Sequence, residues 1–164
     1  IIPRQTYISG TVNPEKAWRV FAIQTPIGAP VKNQALCPRT TALFKCVPNV
    51  IQGFFSILEP GKSIPAHCAD DYDYLRYHLA LRVPQDNPPS LRVKDQIHTW
   101  TEGGSILFDD SFDHEVFNES KEHRVVLIID LLRPLPLPLH LLNVLFIRCL
   151  LPFISSAKAT LVKL

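Results

Sequence analysis

Methionine is absent from the 164 residues, glycine occurs only six times, and net charge is close to zero at +2. Each scarcity excludes something. Near-neutrality removes the polyelectrolyte argument for nucleic acid, so no nucleic-acid partner is expected. Six glycines against fifteen prolines speak for many chain reversals and against a helical bundle. The four cysteines (Cys37, Cys46, Cys68, Cys149) show no CxxC spacing, which excludes a zinc ribbon or finger. They read as reduced thiols; a Cys37–Cys46 pair closing a short loop is the alternative in an oxidising compartment. No charge-free apolar run reaches the ~18 residues of a spanning helix. The missing methionine and the Ile1-Ile2 start suggest a fragment, so any leader or anchor would lie upstream.

What is present suffices for one domain with a real core, burying roughly 70% of the unfolded surface. Trp18–Gln24 reads as a strand, and Thr40–Cys46 as a short helix started by Pro38 and Thr40 and stopped by Pro48. From Phe54 the pattern is one of strands: Phe54–Leu58, a turn at 59–62, then Ile64–His67. In the long strand Tyr74–Val83, Arg76, His78, Ala80 and Arg82 alternate with Leu75, Tyr77, Leu79, Leu81 and Val83. One apolar face opposite one bearing Arg and His fits a barrel with a polar interior. A hairpin over 91–100, a strand Ser105–Phe108, and the strands His114–Phe117 and Arg124–Asp130 follow. The last two are expected to run antiparallel about the turn 118–121. Short strands at regular spacing indicate a mainly β, jelly-roll architecture over 1–134. Residues 135–164 are very apolar but broken by Pro136, Pro138, His140, Arg148 and Pro152. Leu139–Leu151 reads as a helix that packs on the barrel, lies in a membrane interface with Arg148 at its surface, or makes a dimer contact.

The stretch 108–134 carries the chemistry. Arg124 starts a strand apolar enough to be buried, and a buried cation needs an anion, which a bound carboxylate ligand can supply. His114 lies ten residues earlier and His67 some 47 residues before that, at the end of a short strand. Two imidazoles at strand ends across a barrel mouth suit a first-row metal with open positions. His98, His123 and His140 are assigned to surface or satisfied core.

The blocks FFSILEPGKSIPAH, LRYHLAL, FDDSFDHEVFN and RVVLIIDLLRP resemble the aspartyl/asparaginyl β-hydroxylase family. The FDDSFDHEVFN run, with an Arg ten residues after its His, is the specific part; WRVFAIQ and the segment around 37–48 match more weakly, and the last 30 residues do not match. The resemblance implies a double-stranded β-helix (jelly-roll, cupin-like) with a short N-terminal helix and an apolar C-terminal one, and a dioxygenase dependent on Fe(II) and 2-oxoglutarate. It implies His67 and His114 as iron ligands and Arg124, helped by Ser56, on the distal carboxylate of 2-oxoglutarate. Arg76, Tyr77 and His78 would lie against the co-substrate, Arg76 and His78 toward its metal-bound end, and Trp18 would line the same pocket. Strand alternation leaves Tyr77 a backbone contact at best. Asp110, four residues before His114, is expected to orient a metal-bound water or ligand. Ala69 stands where most oxygenases of this fold have a carboxylate, so the resemblance implies ligation by two histidines; Asp70 or Asp71 swinging in is the disfavoured alternative.

The implied activity is hydroxylation of a C–H bond, foremost the β-carbon of Asp or Asn in a peptide or protein. The alternatives are an acyl-chain hydroxylase of lipid A type working at a membrane, a metal-binding isomerase of cupin type, and a non-catalytic β-barrel binding module. The FDDSFDHEV wording favours the peptide branch and the apolar tail the lipid one. Reduced thiols and iron suggest the cytoplasm, and the tail suggests a peripheral place at the inner membrane.

Overall fold

The computed structural model describes residues 18–26, 28–69 and 73–150. Nine strands form two sheets: β1 (Trp18–Gln24), β2 (Val50–Leu58), β9 (Arg124–Leu132), β4 (Tyr74–Arg82) and β7 (Ser105–Phe108) in that order, and β3 (Ile64–His67), β8 (His114–Phe117), β5 (Ser90–Val93) and β6 (Gln96–Thr99) in the other. All named strand pairs are antiparallel. This is the double-layered β architecture expected from the sequence.

The central strand β9 explains why its sequence is apolar almost throughout. Val126 and Ile128 face the space between the sheets, with Leu58, Leu91, Trp100 and Val116. Leu127 and Ile129 face outward onto a second cluster with Ile23 and Phe44. A strand buried on both faces loses the polar alternation of a half-exposed one. The outer cover is helical: α1 (Val31–Leu36) and α2 (Pro38–Cys46) lie over the five-stranded sheet. A Cβ on Gly53 would collide with the Phe44 ring, so glycine is what lets α2 sit this close to β2.

Three details differ from the sequence expectation, and the cysteines follow it. The expected helix over 40–46 lies within α2, and a further helix, α1, precedes it and meets it at Cys37. Cys37 and Cys46 lie at opposite ends of α2, which at 1.5 Å per residue puts them about 13 Å apart, beyond the reach of a disulfide; both are free thiols. Val83 joins Ala80 in the inner core, not the outer face with Leu79, because a register shift between Ala80 and Arg82 breaks the alternation. Strands β8 and β9 do not pair with each other: β8 bonds to β3 and β5, β9 to β2 and β4. The link between them crosses from sheet to sheet. It is fixed by Asn118, whose Nδ2 donates to the Glu59 carbonyl (2.9 Å) and whose Oδ1 accepts from Ser120 Oγ (2.6 Å).

The C-terminal helix α3 spans Leu137–Leu145, two residues earlier than expected, and ends in a π-helical turn at Phe146–Leu150. It meets the barrel through Val144 and Ile147, against Ile51, Leu132 and Tyr74. Among the described residues no helix is long and apolar enough to cross a membrane. The division of the chain at 134/135 remains a proposal; residues 151–164 lie outside the described structure.

Candidate functional site

The two histidines singled out by sequence are cross-strand partners. β3 pairs with β8 so that His67 stands opposite His114, with ring centroids 4.2 Å apart. Each ring is held the same way: Nδ1 lies 2.8 Å from the Pro65 carbonyl in His67 and 2.9 Å from the Phe112 carbonyl in His114. A carbonyl only accepts, so each Nδ1 carries the proton and each Nε2 presents a lone pair. This is the tautomer a metal ligand needs. Burial lowers the pKa of His114, against the raising effect of its bond to the Phe112 carbonyl, and favours its neutral form. Among the described residues no cluster of three His, Cys, Asp or Glu forms a fuller ligand set. Asp70 and Asp71 lie outside the described residues. Ala69 donates its backbone N–H to the Asp110 carbonyl (2.9 Å), which ties the end of β3 to the loop before β8.

Arg124 is 1% exposed. Its Nη2 donates to Ser56 Oγ at 3.3 Å, while Nε and Nη1 have no partner. No acidic side chain among the described residues pairs with it, and burial alone pushes its pKa down to about 9. Its guanidinium lies 4.8 Å from the centre of the Trp100 ring, a cation–π contact. Ser56 is fully buried, and its oxygen also accepts from Trp18 Nε1 at 2.9 Å. A hydroxyl has two acceptor positions and one proton. With both positions occupied by Arg124 and Trp18, the Ser56 proton is left to be donated elsewhere. Trp18, Ser56 and Arg124 therefore form one continuous donor group.

His78 stands between this group and the histidine pair. Its ring stacks on Trp100 (5.9 Å) and meets Phe108 edge-on (5.0 Å), and neither nitrogen has a partner. Burial, then the charges of Arg124 and Arg76, hold it well below the usual histidine range and so neutral. Three kinds of buried polar atom thus converge without protein partners: two nitrogens of Arg124, both of His78, and Nε1 of Trp100. Buried groups left without protein partners at such density make this the candidate place for a polar ligand.

Arg76 is placed differently from the expectation. Its guanidinium is held by carboxylates at all three nitrogens: Nε and Nη2 donate to Asp130 (both 2.8 Å), and Nη1 lies 2.8 Å from Asp110. Burial opposes this charge, but the bonds and charges of Asp130 and Asp110 outweigh it and raise the pKa of Arg76. Arg76 therefore brackets Asp110, with three of its five N–H groups already on carboxylates. Asp110 itself is fully buried, with Oδ1 unpartnered and Tyr74 Oη 3.4 Å from Oδ2. Burial pushes its carboxyl up to about 6, against the pull of Arg76. Tyr77 packs in the outer cluster, so its side chain is away from these residues.

Sequence reasoning misses Trp100, Asp130 and Tyr74. Asp130 carries a readable signal, a carboxylate inside the apolar run RVVLIID, which demands a cation. Trp100 has none, because a tryptophan at a strand end is ordinarily plain core.

A model of the family described as aspartyl/asparaginyl beta-hydroxylase matches residues 2–134. The ornithine lipid ester-linked acyl 2-hydroxylase of Rhizobium tropici is 36% identical over 137 residues, covering 81% of this chain and 48% of that protein. The aspartyl/asparaginyl beta-hydroxylase of Homo sapiens is 32% identical over 111 residues, covering 63% of this chain and 14% of that one. Human aspartate beta-hydroxylase domain-containing protein 2 is 34% identical over 130 residues, covering 74% and 35%. The chain spans less than half the length of each of these relatives. With a family model matching most of its length, the chain belongs to the aspartyl/asparaginyl β-hydroxylase family.

Proposed function

We propose that this barrel is an Fe(II)- and 2-oxoglutarate-dependent dioxygenase that hydroxylates an aliphatic C–H bond. The observation that carries the reading is Arg124, a buried cation without an acid beside it and with two unpartnered N–H groups. A carboxylate from outside the protein is the partner it lacks. The donor set also fits the metal: two imidazoles with free Nε2 atoms suit first-row Fe(II), and two protein ligands leave positions open for a chelating oxo-acid and O₂. His67 and His114 hold the iron. Arg124 and the Ser56 hydroxyl hold the distal carboxylate. Trp18 fixes Ser56, and Trp100 lies against the guanidinium of Arg124. His78, neutral and partnerless, is a donor toward the co-substrate between the two ends. Asp110, bracketed by Arg76, keeps one oxygen free to orient a ligand on the metal side. When bound, iron, 2-oxoglutarate and O₂ would supply the oxidising chemistry, with succinate and CO₂ as co-products.

Two substrate classes are in view. A lipid acyl chain is supported by the extent of the match to the Rhizobium tropici enzyme. It is also supported by a groove of about 400 Å³ along the edges of β6 and β7, lined by Leu91, Val93, Ile97, Ile106 and Phe108 among others. Phe108 forms its wall toward His114, at 5.7 Å between rings. An Asp or Asn residue of a peptide is supported by the FDDSFDHEV block and the match to the mammalian hydroxylases.

The test is anaerobic titration of Fe(II) and 2-oxoglutarate, following the visible metal-to-ligand charge-transfer band. We expect the band in the wild type. In Arg124→Ala, metal affinity stays nearly intact while 2-oxoglutarate binding weakens by about 2–5 kcal/mol, the cost of removing a desolvated charge-assisted pair. Equal 2-oxoglutarate affinity in the two proteins would remove Arg124 from this role.

A further inference from the structure

Helix α3 is turned the wrong way round for a helix that meets only water. Its inward stripe, His140, Asn143 and Val144 followed by Ile147, carries the polar residues. Asn143 Nδ2 donates to the Asp73 carbonyl at 3.3 Å, and Val144 and Ile147 pack on the barrel. Its outward side is apolar: Leu137, Leu139, Leu141, Leu142 and Leu145, with Phe146 beyond, are all between 43% and 70% exposed. A water-facing helix shows the reverse pattern, and a contiguous apolar surface of this kind marks a contact.

Two further observations identify the partner. From residue 134 to residue 164 the sequence contains Arg148, Lys158 and Lys163 and no acidic residue, while Arg133 just before them is paired with Asp109, so the segment bearing the leucines is purely cationic. Apolar side chains with basic residues and no acids complement an anionic lipid surface. The position of α3 also connects it to the site. Asn143 donates to the Asp73 carbonyl, the adjacent Tyr74 reaches Asp110, and the Asp110 backbone holds Ala69, two residues past His67. The leucines therefore stand at the same end of the barrel as the histidine pair.

We infer that α3 docks the barrel onto an anionic lipid bilayer with its metal end toward the membrane. The purpose of this docking, delivery of an acyl chain to His67 and His114, rests on the oxygenase reading above; the docking itself is measured separately.

The experiment uses the full chain and sucrose-loaded vesicles, either of phosphatidylcholine alone or of equal parts phosphatidylcholine and phosphatidylglycerol. The wild type is expected to sediment with the anionic vesicles and much less with the neutral ones. L139Q/L142Q/L145Q alters only exposed side chains to good helix formers, and is expected to lower the bound fraction about tenfold or more. Its charge-transfer band with Fe(II) and 2-oxoglutarate should be unchanged, which also reports that it folds. A second variant, Leu142→Trp, should bind as the wild type does and gain emission quenched by brominated lipid. Equal vesicle binding by wild type and triple variant would overturn the inference, as would added emission in the Leu142→Trp protein that brominated lipid leaves untouched. So would a wild-type dimer that the triple variant disperses, since a second copy would then cover the face. Vesicle binding without the charge-transfer band would leave docking standing and remove the oxygenase reading; the band without vesicle binding would do the opposite.

Discussion

Arg76 and Arg124 are guanidiniums within one barrel, yet only Arg76 has carboxylates against it, from Asp130 and Asp110. Arg124 keeps its charge without an internal anion, so replacing it affects a ligand, whereas replacing Arg76 leaves two buried acids uncompensated. Asp110 shows how this is felt as pH. Its folded-state pKa of about 6 lies above the unfolded value near 3.8, so the folded protein holds that proton more tightly. The associated stability is fully present below about pH 4 and is lost as pH rises through 6, on the order of 3 kcal/mol across the window. Asp110→Asn, which cannot titrate, should flatten the slope of unfolding free energy against pH between about 4 and 6, read by urea denaturation at stepped pH. An unaltered slope would show that another group titrates there. At this scale the sequence is legible where a residue's type is at odds with its surroundings. Arg124 in an apolar strand and two histidines at strand ends can be read directly. Trp100 cannot, because only a fold that brings it over Arg124 distinguishes it from core.

Among elements, the contact of α2 with β2 rests on one missing side chain. Gly53 lies under the Phe44 ring, which is 5% exposed, and a methyl there has no room. Gly53→Ala should therefore destabilise by about 1–3 kcal/mol as an overpacked core position. Combining it with Phe44→Leu should cost less than the sum of the two single changes, since the residues share one contact; strict additivity in urea unfolding would separate them. Strand positions are largely readable, because β4 and β9 follow period-two or doubly buried patterns that local sequence displays. Their partners are not. That β8 and β9 belong to different sheets depends on pairings with β3, β5, β2 and β4 far away in the chain, and no short-range signal encodes those. The bulge between Ala80 and Arg82 likewise follows from the partner strand and moves Val83 to the inner face.

For the molecule as a whole, partnerless polar atoms at the centre of the barrel imply that it is less stable empty than filled. Saturation with Fe(II) and 2-oxoglutarate at about a hundred times their dissociation constants should add about 2.7 kcal/mol for each ligand, about 5.4 kcal/mol together, or roughly 10–20 °C in Tm for a chain of this size. Arg124→Ala should keep only the metal's share. The crossing between β8 and β9 has a further consequence. His114 belongs to one sheet and Arg124 to the other, so on the proposed oxygenase reading the separation of the two layers is a calliper for the co-substrate. On that reading an oxo-diacid one carbon shorter than 2-oxoglutarate should bind more weakly, and so should one a carbon longer. The chain length accepted would then follow from the thickness of the barrel's own core.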